Sequence, residues 1–286
     1  MQRIMLATDF SERSDRALRR AVILTRQQGA ALEIVHVVDD DRPRRLVDHE
    51  VNDARQLLAE LARSLKDLDG VACATGVLLD DPFAGIVKAA AKASPDLLVI
   101  GPHRRQILRD AFVGTTAERT IRAVRCPVLM VNGPPVGPWR HVLMTTDLSE
   151  HSGNALRRCL AAGLPGDAAR SLLYVFDAPA LRLAMSGSMG KEEQRDYLED
   201  LSREAGLELA QFIGRAGLGQ IRRIVQPEEA TVAGEIQKTA DKEKADLIVV
   251  STQGKGAVSR MVLGSVALQV LKDAQHDVLV MPIELT

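Results

Sequence analysis

Two aspartates stand directly after short apolar runs: Asp9 in ATDFS follows IML at residues 4–6, and Asp147 in TTDLS follows VLM at 142–144. A carboxylate at the end of a strand can accept hydrogen bonds from a ligand; the competing reading is an aspartate that caps the next helix. A second set follows another apolar run, in STQGKGAVSRMVLGSV at residues 251–266. Gly254 and Gly256 there let the backbone approach a ligand closely. Gly264-Ser265 precedes VALQVLKDA, a helix whose first N–H groups and positive dipole end suit a phosphate. The competing reading is a glycine-rich connector with a capping serine. Lys255 adds a positive charge, for which a solvated loop lysine is the plainer account. The earlier part of the chain repeats this pattern with Gly101, Gly114 and Thr115, but carries Arg104 at the match of Gly254, followed by Arg105.

Other chemistry is weakly signalled. GSMGK, ending at Lys191, lacks the first glycine and the Ser or Thr of a phosphate-binding P-loop. There is no GxSxG or HExxH, and the six histidines show no metal-ligand spacing. His36 falls inside a predicted strand and His103 in a loop, so structural or solvated roles are expected. Thr115-Thr116-Ala117-Glu118 has the form of a capping box, which explains Thr115 without a ligand.

The elements that must position these residues are themselves repeated. From Thr8 and Thr146 the two copies agree at nine of thirteen positions. The front halves correspond at an offset of 138, with Asp9 matching Asp147 and Val37 matching Val175. The back halves correspond at 150, with PDLLVIGPHRR (residues 95–105) matching ADLIVVSTQGK (residues 245–255). The twelve extra residues fall around ALRLAMSGSMGKEE at 180–193, where a surface loop is expected. In copy one, strands are predicted near 3–7, 31–38, 71–79, 96–100 and 127–132, alternating with helical segments. DLLVIG and DLIVVS have the unbroken apolar character of strands covered on both faces. Leu57, Leu58, Leu61, Leu65 and Leu68 share a helical stripe, and Ser11 and Ser149 are predicted N-caps. Strand–helix alternation predicts an α/β protein of two tandem doubly wound, Rossmann-like parallel-sheet domains, at residues 1–132 and 141–286. The linker, 133–140, lies in the proline- and glycine-rich NGPPVGPWR.

Composition narrows the function. At 286 residues there is room for two domains, each with its own core. A net charge of −1 and 3% aromatic residues disfavour nucleic acid or an anionic membrane surface as partner. Cys73, Cys126 and Cys159 have neither disulfide nor zinc spacing and are expected as reduced core thiols. No apolar run reaches membrane-spanning length and the chain opens on a strand pattern without a signal peptide, so the cytoplasm is expected.

TDFS and TDLS after the first strand of each copy, with nine residues between Gly254 and Gly264-Ser265 after the fourth strand of copy two, resemble the universal stress protein family in its tandem form. The likeness spans essentially the whole chain. ATP-binding members carry G-x-x-G, nine residues, then G-S or G-T; copy two departs at Ser251, and copy one at Arg104. The resemblance implies ATP, with or without magnesium, as ligand. In copy two it would lie against Thr146, Asp147 and Val175 at the adenine end, Val250, Ser251 and Gly254 at the ribose and phosphates, and Gly264, Ser265 and Val266 at the helix start. The copy-one set is Thr8, Asp9, Val37, Gly101, Gly114, Thr115 and Thr116. Binding is expected to be tighter in copy two. The implied role is a sensor or regulator of the stress response, with a pure interaction scaffold or a weak nucleotide hydrolase as alternatives. In the family the last strands pair across a dimer axis, so residues 127–131 and 278–281 are expected to pair antiparallel within one chain, as an internal pseudo-dimer, with further homo-oligomerisation optional.

Overall fold

The computed structural model describes residues 1–102, 115–179, 190–252 and 263–282, which form two compact units. The first unit alternates β1 (Arg3–Thr8), α1 (Glu12–Gln28), β2 (Ala31–Val38), α2 (Arg44–Asp69), β3 (Cys73–Leu79), α3 (Pro82–Ala93), β4 (Leu97–Ile100), α4 (Thr116–Ala123) and β5 (Val128–Met130). Its strands run in the order β3-β2-β1-β4-β5 with parallel pairing throughout that set. The second unit repeats the plan with β6 (His141–Thr146), α5 (Glu150–Ala161), β7 (Ala169–Phe176), α6 (Lys191–Ala216), β8 (Arg222–Pro227), α7 (Val232–Glu243), β9 (Leu247–Ser251) and α8 (Ser265–Asp273), in the parallel order β9-β6-β7-β8. Residues 277–280 of the last strand, β10 (Asp277–Met281), belong to the first unit. There they pair antiparallel with β5 through Val128–Val280, Leu129–Leu279 and Met130–Val278.

The central strands are the unbroken apolar runs of the sequence. Ile4, Met5 and Leu6 of β1 and Leu97, Leu98 and Val99 of β4 have no exposed surface, and neither do Val142, Leu143 and Met144 of β6. Each central strand is also closed at its entry by a carboxylate. Asp96 Oδ2 accepts the N–H groups of Gln2 (2.5 Å) and Arg3 (2.9 Å), and Asp246 Oδ2 those of Arg140 (2.6 Å) and His141 (3.0 Å). The Gln2 bond leads in holding Asp96 below its ordinary pKa. Burial opposes the same effect at Asp246, but its two backbone bonds and Arg140 prevail, and its pKa is lowered too.

On α2 the leucine stripe is narrower than its sequence suggests. Leu58 and Leu65 are buried with Val47, Val51 and Ala54, whereas Leu57 and Leu68 are exposed. Positions 57 and 58 lie about 100° apart around a helix, so one sheet face cannot cover both.

One buried ion pair organises the first unit. Arg20 Nε of α1 donates to Asp277 Oδ2 at 3.1 Å, and Arg20 Nη1 donates to the Gly137 carbonyl at 2.6 Å. Asp277 Oδ1 accepts the N–H groups of Asn132 (3.1 Å) and Gly133 (3.3 Å). With side chains only 7% and 2% exposed, both charges are satisfied inside the protein. Copy two differs: Pro127 stands where the offset of 150 would place the partner of Asp277, and Arg158, matching Arg20, donates to the Pro282 carbonyl at 2.9 Å.

The three cysteines are free, but only Cys159 is fully buried; Cys73 and Cys126 are partly exposed, because they lie at the start of β3 and just before β5. Burial raises all three thiol pKa values, Cys126 to about 11 and Cys159 to about 12.

Candidate functional site

The aspartate after the first strand of each copy sits in the same turn. Phe10 and Leu148 have positive φ, 58° and 63°, in the left-handed region that bulky residues avoid. Two bonds hold each turn there. The N–H of Phe10 donates to Thr8 Oγ1 at 3.1 Å, as that of Leu148 does to Thr146 Oγ1 at 3.0 Å. The N–H of Ser11 donates to Asp9 Oδ1 at 3.0 Å, as that of Ser149 does to Asp147 Oδ1 at 3.1 Å. Ser11 and Ser149 then cap α1 and α5, accepting from the N–H groups of Ser14 and Ser152. One carboxylate oxygen of each aspartate is therefore spent on the turn, and the helix cap itself is the serine two residues further on.

The second oxygen of Asp9 is otherwise engaged only loosely, with Arg13 at 3.8 Å. Burial acts to raise the Asp9 pKa. Hydrogen bonds from the Ser11 and Ser14 hydroxyls and the Ser11 N–H, with Arg13 nearby, outweigh it and leave the pKa lowered. Asp9 is thus an ionised acceptor at neutral pH.

These turns lie where a doubly wound sheet is expected to bind. The chain leaves β1 for β2 on one side and places β4 on the other, so strand order reverses at the carboxyl ends of β1 and β4. A cleft of about 630 Å³ opens there, with Ala7, Thr8 and Asp9 from the β1 end, Val35 and Val37 from β2, Ile100 and Gly101 from the β4 end, and Thr115, Thr116 and Thr120 from α4. Arg13, Ser14, Pro82, Ile86, Pro102 and Ala117 complete it. The structure brings together Thr8, Asp9, Val37, Gly101, Thr115 and Thr116 of the copy-one set; Gly114, Arg104 and Arg105 lie outside the described residues. In copy two, Thr146 and Asp147 follow β6, Val175 lies on β7, Val250 and Ser251 end β9, and Gly264, Ser265 and Val266 open α8. Gly254 and Lys255 lie outside the described residues.

Two glycines have reasons the sequence did not disclose. A Cβ on Gly101 would stand 3.1 Å from the Arg13 carbonyl carbon and oxygen and 3.2 Å from the Ser14 nitrogen, so this glycine lets β4 end against the first turn of α1. Gly264 donates its N–H to the Thr252 carbonyl at 2.6 Å, and Thr252 donates to the Met281 carbonyl at 2.9 Å. That N–H is committed to the protein. Copy one has Pro102 in place of Thr252 and so lacks the second donor.

The two helix starts differ. Thr115 is the N-cap of α4, and its hydroxyl accepts the Glu118 N–H at 3.2 Å. The Glu118 carboxylate accepts from Arg122 Nε at 2.8 Å. In α8 the N-cap is Gly264, with no side-chain cap, and Ser265, the match of Thr115, is already the first helical residue. The N-cap of α8 therefore offers no side-chain acceptor to the first-turn N–H groups. His36 has a structural place: its Nδ1 is 2.8 Å from the Thr8 carbonyl and its ring lies 4.4 Å from that of Phe10.

The chain thus repeats one doubly wound α/β unit, each copy with a Thr-Asp turn after its first strand. The sequence pattern of the universal stress protein family matches residues 1–132 and again 138–282. The chain belongs to the universal stress protein family, with two of its domains in tandem. Universal stress protein MJ0531 of Methanocaldococcus jannaschii is 32% identical over 144 residues, which are 50% of this chain and 81% of that protein. Universal stress protein Sll1388 of Synechocystis is 24% identical over 149 residues, 45% of this chain and 96% of its own length. Relatives of single-domain length thus cover about half of this chain. A universal stress protein from Archaeoglobus fulgidus shares the fold over the whole length, with a TM-score of 0.68, 18% identity, and 98% and 97% of the two chains covered. No helix among the described residues is long and apolar enough to cross a membrane.

Proposed function

We propose that the protein binds adenine nucleotide, ATP above all, and acts as a cytoplasmic sensor or regulator of the stress response with at most weak ATPase activity. The observation that carries this reading is that copy two holds a turn-fixed aspartate, Asp147, after its first strand and a helix start whose N-cap, Gly264, has no side chain. Asp147 supplies an acceptor for the exocyclic amine of adenine, beside Thr146 and Val175. Ser251 and Val250 adjoin the ribose, and the free N–H groups of Ser265 and Val266, aided by the helix dipole, hold phosphate. Gly254 belongs to the same proposed set.

Copy one supports the reading differently. Its cleft presents Thr8, Asp9 and Val37 to a base and Gly101, Thr115 and Thr116, with Gly114, to the remainder, but its helix start is already capped. Phosphate binding is accordingly proposed to be tighter in copy two. Among the described residues no cluster of three His, Cys, Asp or Glu could cage a metal. Magnesium would therefore be carried chiefly by the phosphate oxygens. Native mass spectrometry of the purified protein, followed by calorimetric titration with ATP, tests the proposal. Co-purified adenine nucleotide or saturable heat supports it; neither, in folded protein, would leave the interaction scaffold as the better account.

A further inference from the structure

Thr120 lies in the second turn of α4, lines the copy-one cleft, and has no exposed surface. Its Oγ1 is buried without a hydrogen-bond partner among the described residues. A threonine inside a helix ordinarily returns its hydroxyl to the carbonyl four residues earlier, and this one does not. An unpaired buried hydroxyl disfavours the folded state, whereas a valine of similar shape would not. Copy two has that valine: Val270 stands at the matching position on α8, fully buried. The cleft also carries the apolar side chains Ala7, Val35, Ile86 and Ile100, a lining suited to a flat ring.

We infer that the Thr120 hydroxyl is a specificity-determining group of the copy-one cleft, held for a hydrogen bond with the polar edge of a bound nucleoside, and that copy two lacks it. The inference rests on the adenine-nucleotide reading above. It assigns the two copies different tasks: copy one reads the nucleoside with a side chain on its floor, and copy two holds phosphate with open backbone groups. A hydroxyl both donates and accepts, so it pairs with a ring nitrogen or an exocyclic amine alike.

The test uses the full chain with adenosine as probe and hydrogen exchange resolved by peptide, so that protection at residues 3–8 and 116–123 is read separately from protection at 141–146 and 265–273. Thr120→Val should weaken the adenosine concentration dependence in copy one by about fivefold or more. It should leave copy two unchanged, and the Tm of the ligand-free protein should be equal or higher. Thr120→Ser, which keeps the hydroxyl, should retain affinity to within about twofold. Unaltered adenosine binding in Thr120→Val would overturn the inference, as would a lowered ligand-free Tm with unchanged binding, the signature of a packing role. Absence of adenosine and ATP protection in both copies of the unmodified protein would instead remove the nucleotide reading on which the inference stands.

Discussion

The two helix starts, α4 and α8, occupy the same place in the same fold, yet one satisfies itself and the other does not. Thr115 spends its hydroxyl on the Glu118 N–H, while the matching Ser265 has been drawn into the helix and Gly264 takes the capping position without a side chain. A one-residue shift in where the helix begins thus removes the side-chain cap. The same asymmetry recurs deeper in each unit. Copy one carries a buried ion pair, Arg20 with Asp277, where the matching arginine of copy two, Arg158, donates to the Pro282 carbonyl. The two copies share one frame and differ in how its helix start and its buried arginine are satisfied.

The sharpest way to break this comparison is at the ion pair. Asp277→Ala leaves the Arg20 guanidinium buried without its partner and is expected to cost about 3 kcal/mol or more in urea unfolding. Arg158→Leu, which takes the bond to the Pro282 carbonyl from an arginine that is not fully buried, is expected to cost less, about 1 kcal/mol. Equal losses would show that the two arginines do the same job. Next in size, Gly264→Val keeps a backbone at φ −59°, ψ 153° that valine adopts readily, but puts a branched side chain at the helix start. ATP affinity measured by calorimetry should fall about tenfold in a protein whose circular dichroism is unchanged. Full affinity would exclude the α8 start from the site.

Smaller effects refine the cap assignment. Thr115→Ala should destabilise by about 1 kcal/mol, and Ser265→Ala by less than about 0.5 kcal/mol, since only the first removes a capping acceptor. A matching pair of losses in denaturant midpoint would contradict the shift in register. The smallest effect is on acid stability. Asp9, Asp96 and Asp246 all have lowered pKa values. A carboxylate whose folded pKa lies below its unfolded value, near about 3.9, contributes stability that is complete above that value and drains as pH falls through the folded one. Asp246→Asn should therefore flatten the loss of stability below about pH 4 and leave the pH 5–8 plateau shape unaltered. A changed slope on the plateau would mean another group is responsible.

Much of this was legible in the residues because it is local. Asp9 and Asp147 each follow a strand and precede a serine cap, and that spacing alone places them in a turn. The strand runs were read to within two residues, since unbroken apolar segments have few alternatives. What escaped was long-range. Gly101 reads as a ligand-approach glycine, but its neighbour is the backbone of α1, distant in sequence. Asp277 opens an apolar strand and gives no sign of Arg20, 257 residues earlier. Thr120 reads as an ordinary helical threonine, and its isolation becomes visible only when the cleft wall around it is assembled. The positive φ at Phe10 and Leu148 had no sequence signal, because glycine or asparagine would ordinarily mark such a turn.

The buried thiols carry a consequence for the conditions under which a stress protein works. Peroxide reacts with the thiolate, and a thiol with a pKa of about 12, as at Cys159, holds roughly one thiolate per hundred thousand molecules at neutral pH. Cys126, at about 11, is only tenfold more available. At neutral pH peroxide would therefore reach these two sulfurs far more slowly than it reaches the thiolate of a reactive-cysteine enzyme.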